Sequence, residues 1–306
     1  MQLSIIIATK NREDILLKSI LHALEAIQNF EAEIIIINDG DPIGKLIEHE
    51  KLLLLDNHQR GVSKARNLGA EKAKSSLLFF IDDDMWITKE SISEILDLEK
   101  TAFFNNSCVC LNWEYPEILV QQLKYSKIGR YLLEGRYHTM EGRMHKHIDY
   151  SISLQETNSI GSGAFIIYKK IFNVAGGYNE NIGFQGEDLD LSKRLISNKV
   201  IMKILTKITA FHNQQDRLDI DGFLDRIYRG YTSQIKAGMP MNFPPIKSLI
   251  YQSLLHFYGL LKFSFKLTPN IPIWDILSFR LIGILSSLSY FRALKHSNTP
   301  HAREKN

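Results

Sequence analysis

The run Leu77-Leu78-Phe79-Phe80-Ile81 breaks abruptly into Asp82-Asp83-Asp84, and no other stretch of the chain restricts its fold as much. Five apolar residues in succession read as a strand buried on both faces of a parallel sheet, with the three carboxylates at its carboxyl end. That is the end at which open α/β sheets bind their ligands. Three adjacent like charges repel one another and cannot be buried unpaired, so a divalent cation is a natural means of holding them together. Side chains alternate along an extended chain, so Asp82 and Asp84 share one direction and Asp83 takes the other. Such an Asp-x-Asp pair suits Mg²⁺ or Mn²⁺ carrying a diphosphate, because hard cations accept few carboxylates and complete their shell with phosphate oxygens and water. Taken alone, the triplet also reads as a solvated acidic turn after a strand.

The rest of the chain repeats a strand–helix alternation. Leu3 to Ala8 is an apolar strand, Thr9-Lys10-Asn11-Arg12 a polar turn, and Ile15, Leu16, Ile20, Leu21 and Leu24 fall near helical spacing. Glu33 to Ile37 is a second strand ending in Asn38-Asp39-Gly40-Asp41, and Lys51 to Leu55 a weaker third. Gly61-Val62-Ser63-Lys64-Ala65-Arg66-Asn67 then opens a helix with Ser63 as its expected N-cap. This order predicts an α/β fold with a doubly wound, mostly parallel sheet. Leu119 to Met140 lacks a clean period and reads as helix and loop. Gly161-Ser162-Gly163 precedes a strand over Ala164 to Tyr168, and Gly176-Gly177-Tyr178 marks a turn. Glu187, Asp188 and Asp190 set an acidic first turn on a helix, and strands at Val200 to Leu205 and Ile208 to Phe211 lead to His212.

Composition excludes several classes. A net charge of +3 in 306 residues, without a basic stripe among exposed aromatics, gives no reason to expect nucleic acid. The two cysteines, Cys108 and Cys110, would point to opposite faces of a strand, so reduced thiols are expected. The N-terminus enters a strand without a basic region or a cleavage site, which predicts no signal peptide. Nothing before about residue 240 is long and apolar enough to span a bilayer. Beyond Pro244-Pro245, residues 246–267 and 271–294 are rich in Leu, Ile, Phe and Tyr, yet the longest uncharged run, Leu281 to Phe291, is too short to span. Two readings compete there. Either these helices pack on the main domain, or they lie in a membrane interface with Lys262, Lys266, Arg280, Arg292 and Lys295 toward phosphates. The abundance of apolar residues favours peripheral membrane contact through residues 245–295 and a cytoplasmic protein at the inner face of the cell membrane.

Five signatures in order, Ser4-Ile5-Ile6-Ile7-Ala8-Thr9-Lys10-Asn11-Arg12, Ile37-Asn38-Asp39-Gly40, Gly61 to Asn67, Phe80-Ile81-Asp82-Asp83-Asp84 and Gly186-Glu187-Asp188, make residues 1 to 215 resemble the family-2 glycosyltransferases of GT-A fold. These are inverting, metal-dependent enzymes with nucleotide-sugar donors. The resemblance implies that Thr9, Asn11, Arg12, Asp39, Arg66, Asn67, Asp82 and Asp83 meet the nucleotide of a UDP-sugar, with Asp39 accepting the uracil N3–H. It implies a metal site of Asp82, Asp84 and His212, and an imidazole among the ligands favours Mn²⁺ over Mg²⁺. Gly161, Ser162, Gly163, Gly186 and Glu187 would line the sugar pocket. The acceptor hydroxyl needs a general base, for which Asp188 is the candidate, with Glu187 holding hydroxyls. In-line attack opposite the diphosphate would then invert the anomeric centre. The Gly-Glu-Asp element is similar to that of galactosyl- and N-acetylgalactosaminyl-transferases, which leans toward a UDP-hexose or UDP-N-acetylhexosamine.

Departures from the family pattern matter too. Gln214-Gln215-Asp216-Arg217-Leu218 lacks the tryptophan of the Gln-x-x-Arg-Trp motif of processive synthases, so transfer of one residue is expected, onto a glycan, lipid-linked or other acceptor. The expected organisation is a catalytic domain over 1–240, with a nucleotide-binding half at 1–110 and an acceptor half at 111–240, followed by a helical region at 241–306. A sugar nucleotidyltransferase is disfavoured, because Ala8-Thr9-Lys10-Asn11-Arg12 has no glycine. A non-catalytic glycan- or membrane-binding protein on the same fold is the remaining alternative.

Overall fold

A computed structural model of the chain describes residues 1–44, 46–160, 163–182, 186–214, 219–236, 241 and 244–297. It divides into two compact units, one of Met1–Pro116, His138–Gly183 and Glu187–Asn213, the other of Glu117–Tyr137, Phe184–Gly186 and Gln214–Asn306. The first unit holds one sheet of nine strands: β1 (Leu3–Thr9), β2 (Ala32–Asn38), β3 (Leu52–Asp56), β4 (Leu77–Asp82), β5 (Met85–Ile87), β6 (Ser107–Glu114), β7 (Leu154–Thr157), β8 (Ala164–Tyr168) and β9 (Ile201–His212). Their order is β3-β2-β1-β4-β8-β6-β9-β5, with β7 also on β9.

The half built from β3, β2, β1 and β4 is parallel throughout. Its strands are the continuous apolar runs of the sequence, and β1 and β2 are buried almost end to end because helices cover both sheet faces. Two of those helices are α1 (Glu13–Ala26) and α2 (Val62–Lys72). Gly69 lets α2 approach closely, since a Cβ there would lie 2.4 Å from Ile6 Cγ2. Beyond β4 the directions mix, with β8 antiparallel to both β4 and β6, and β9 parallel to β6. Registers Thr9↔Asn38 and Ala8↔Asp82 align the carboxyl ends of β1, β2 and β4. The register His212↔Met85 then brings the end of β9 beside the acidic triplet.

Two local expectations change. Residues 201–212 form one strand instead of two, with register shifts on either side of Asn112, whose Nδ2 donates to the Thr206 carbonyl at 2.7 Å. Ser63 does not cap α2, whose N-cap position is Gly61 at φ 116°; its hydroxyl donates instead to the Ile182 carbonyl at 2.9 Å. Cys108 and Cys110 are buried thiols, as their alternation suggested. The remaining helices of this unit are α3 (Lys89–Lys100), α6 (Met140–Met144), α7 (Lys169–Val174) and α8 (Glu187–Ser197), the last opening on the acidic turn read from sequence.

The second unit is helical: α4 (Glu117–Leu123), α5 (Lys127–Glu134), α9 (Ile220–Lys236), α10 (Pro245–Leu254), α11 (Tyr258–Leu267) and α12 (Asp275–Ser297). Leu281, Ile282, Leu285 and Leu288 of α12 are buried in its core, as is Leu224 of α9. Lys127 ends α11 by donating to the carbonyls of Phe265 and Thr268 at 2.6 and 2.8 Å. Arg130 grips Asp275 bidentately at 2.7 Å for both contacts. Residues 117–137 and 219–236, set with the N-terminal domain in the sequence reading, group here with the C-terminal helices because α5 and α9 pack on α12.

Candidate active site

Asp82 ends β4, and Asp83 and Asp84 form the turn that follows it, so the expected alternation gives way to turn geometry. Asp83 turns inward, accepting from Thr9 Oγ1 at 2.8 Å and from Arg12 Nη1 at 2.5 Å, while Ser19 donates to its carbonyl at 2.8 Å. Burial pushes its carboxyl up to about 7, against the pull of Arg12 and with a further push from Asp84. Thr9, Arg12 and Asp83 thus hold one another. Arg12 Nη2 also reaches Asp84 Oδ2 at 2.9 Å.

Asp84 and Asp82 face a common point with His212. His212 Nε2 lies 3.0 Å from Asp84 Oδ1, and one ligand atom from each of Asp82, Asp84 and His212 falls within 4.8 Å of the others. Burial lowers the His212 pKa more than Asp84 raises it, so the imidazole is neutral, the form that ligates metals. Trp113 and Tyr115 present ring edges to it at 4.7 and 6.0 Å, and Arg143 Nη2 donates to the Tyr115 hydroxyl at 2.8 Å. Two carboxylates and a neutral imidazole form a donor set fit for a divalent cation.

Arg66 ties this group to the start of α8. Its guanidinium donates to Asp82 Oδ1 at 2.7 Å and Glu187 Oε1 at 2.9 Å, and lies 5.1 Å over the Tyr178 ring. Burial would depress its pKa, but Tyr178, Asp82, Glu187 and Asp188 together hold it charged. The second carboxylate oxygen of Glu187, Oε2, is buried without a partner among the described residues. Asp188 is pushed up to about 8 by burial and then by Glu187, with Arg66 and a hydrogen bond from Tyr178 pulling the other way. Gly163, at φ 109°, offers its carbonyl to the Asp82 N–H at 3.0 Å, and a Cβ there would press to 3.3 Å from Met85 Sδ. Gly186 takes φ 98°, which favours glycine before the acidic pair.

At the end of β2, Asp39 is buried, and its Oδ1 accepts from Asn57 Nδ2 at 2.7 Å and the Gly61 N–H at 2.6 Å. Its Oδ2 lies 3.7 Å from Lys10 Nζ. A cleft of about 310 Å³ beside it is lined by Thr9, Asn11, Arg12, Asp41, Pro42 and Ile43 among others. A larger cavity of about 690 Å³ lies over α3 and β9 between Glu94, Tyr150, Ile152 and Lys207; it holds none of these groups, so chemistry, not volume, selects the smaller cleft.

The structure therefore brings together Asp82, Asp84 and His212, and next to them Arg66, Glu187 and Asp188. Asn67 is engaged elsewhere: its amide clamps the turn at Tyr178, accepting from the Tyr178 N–H and donating to the Tyr178 carbonyl, both at 2.9 Å. Gly161 and Ser162 lie outside the described residues. Sequence reasoning missed Tyr178, Trp113, Tyr115 and Arg143. Only Tyr178 carried a signal, as the aromatic after Gly176-Gly177.

A family model described as "Glycosyl transferase family 2" matches residues 4–172, more than half of the chain. The chain belongs to the family-2 glycosyltransferases. No curated protein matches it by sequence. Among solved structures this glycosyltransferase is similar to residues 1–349 of S. aureus TarS in complex with UDP-GlcNAc, at 13% identity over 97% of this chain and 91% of that one, with a TM-score of 0.51. It is similar also to GalNAc-T7 with UDP, GalNAc and Mn²⁺, at 13% identity over 98% of this chain and 58% of that one, TM-score 0.51. Of a longer TarS chain it spans 55%, at 12% identity over 97% of its own length and a TM-score of 0.49. At such identities these likenesses concern the fold, which is GT-A.

Proposed function

We propose that this glycosyltransferase moves one hexose or N-acetylhexosamine from a UDP-sugar to a hydroxyl of a glycan or lipid-linked acceptor, with inversion. The observation that carries the reading is the pairing of a three-ligand cluster, Asp82, Asp84 and His212, with a desolvated carboxylate pair, Glu187 and Asp188, bridged by Arg66. The UDP-GlcNAc bound by TarS 1–349 and the UDP, GalNAc and Mn²⁺ bound by GalNAc-T7 support the donor class and the metal.

Asp82, Asp84 and His212 would hold Mn²⁺, or Mg²⁺, which when bound supplies positive charge to the departing diphosphate. Asp39, through Oδ2, accepts the N3–H of uracil, and Asn11 lines the cleft beside it. Thr9, Arg12 and Asp83 shape the acidic corner from behind. The open Oε2 of Glu187 takes a sugar hydroxyl, and Gly163 and Gly186 let the sugar approach the backbone. Asp188 removes the proton of the acceptor hydroxyl; a base whose pKa sits near the working pH serves that step best. Peripheral contact with the inner face of the cell membrane, through residues 245–295, suits a lipid-linked acceptor.

The test is purified protein with Mn²⁺ against UDP-, GDP-, CMP- and TDP-sugars, following thermal stabilisation and nucleotide release. Selective, EDTA-sensitive stabilisation with slow hydrolysis of one UDP-sugar is expected. A folded protein indifferent to every nucleotide sugar would instead favour a non-catalytic glycan-binding role.

A further inference from the structure

Leu260, Phe263 and Leu267 recur along α11 at the spacing of one helical face, and all three are exposed, while Phe265 on the other side is buried. The helix turns an apolar stripe outward. The chain continues through Ile271, Ile273, Trp274, Ile276 and Leu277, again exposed, Ile273 to 83% and Trp274 to 42%. Of the twenty-five exposed large apolar side chains among the described residues, eleven lie between Leu249 and Leu277. A soluble surface rarely concentrates them so. Tyr125, 79% exposed, adjoins the same turn, since Asn270 Nδ2 donates to its carbonyl at 2.9 Å.

Charge selects the occupant. From Pro245 to Ser297 there are six Lys or Arg residues and one acid, Asp275, which Arg130 already neutralises. Lys247 and Arg280 are exposed, while Lys262 and Lys266 both pair with Asp221 of α9. An outward apolar face without a free acid, rimmed by cations and carrying Trp and Tyr, matches the interface of an anionic bilayer. Two such faces from two copies of the chain would set like charges against each other.

The long apolar segment Pro272–Ser297 has the length and hydropathy, 1.2, to cross a membrane, but Leu281, Ile282, Leu285, Leu288 and Phe291 are buried inside the helical unit. Arg292 does not reach outward either; it stacks on the rings of Tyr258 and Tyr228, at 4.3 and 5.3 Å. We infer that the outer face of α11 and the turn that follows it, Leu260 to Leu277, seats in the headgroup layer of an anionic bilayer, with the exposed Lys247 and Arg280 toward lipid phosphates. This deepens the membrane contact proposed above and rests on the helical unit alone, so its failure would leave the donor and metal reading standing.

The test uses the full chain with vesicles of phosphatidylcholine, alone or with phosphatidylglycerol, and lipids brominated in the acyl chains. Co-sedimentation with the anionic vesicles is expected, with quenching of tryptophan emission that disappears in Trp274→Phe. Phe263→Asp combined with Ile273→Asp should weaken vesicle binding by roughly tenfold or more while UDP-sugar stabilisation is retained. A folded protein that ignores both vesicle types, or binds without quenching of Trp274, overturns the inference. So does a concentration-dependent dimer, abolished by the same double substitution, in a chain that leaves vesicles alone.

Discussion

Replacing Arg66 by methionine keeps most of the side-chain volume and removes a cation that faces Asp82, Glu187 and Asp188 together. In the native chain the guanidinium is buried and donates to two of those carboxylates, at 2.7 and 2.9 Å. Breaking a buried charge pair on one side costs about 3–5 kcal/mol, because the abandoned carboxylates stay desolvated. The loss must depend on pH. A carboxyl whose folded pKa is raised takes up a proton on folding between its unfolded value and the raised one, so stability falls as pH climbs through that window and is flat above it. Asp188 already has such a window, reaching to about 8, and removing Arg66 extends it upward. The variant should therefore lose about 3–5 kcal/mol near pH 8 and markedly less near pH 5, where protonated carboxyls no longer need the cation. Urea unfolding at several pH values, in a Trp274→Phe background so that Trp86 and Trp113 report on the sheet unit, measures this. A loss below about 1 kcal/mol at pH 8, or one independent of pH, would refute the view that Arg66 balances these charges.

Other expectations follow from the same site. Asp188→Asn should lower kcat by about 10²–10⁴-fold with little change in donor binding, and native kcat/KM should rise with pH and level off near 8, with a cation beside Asp82 drawing the midpoint down; a flat profile, or full activity in the variant, removes Asp188 from the role of base. His212→Ala should abolish Mn²⁺-dependent stabilisation at concentrations that saturate the native chain, and calorimetric titration with unchanged Mn²⁺ affinity would take the imidazole out of the ligand set. Asp39→Asn should weaken UDP binding by about 1.5–3 kcal/mol, the size of a hydrogen bond to a charged group, and an unaltered affinity would move the uracil elsewhere.

Much of the site was legible because its parts are local. Five apolar residues ending in three aspartates fix a buried strand and place the carboxylates at its carboxyl end, a pattern carried by neighbouring residues alone. The acidic opening of α8 was equally plain, since helix starts are written in neighbouring residues. Tertiary structure decided what each group does with its charge. The sequence cannot say that Arg66 faces Glu187, 121 residues away, instead of solvent, that Thr9 and Arg12 engage Asp83, or that Asn67 clamps the Tyr178 turn. Those pairings come from strand register and helix packing, long-range contacts with no local pattern. The C-terminal helices make the same point: composition marked them as apolar and basic, but only packing decided that Leu285 of α12 faces the core while Phe263 of α11 faces out, because which apolar side chains meet neighbouring helices is a long-range matter that composition does not carry.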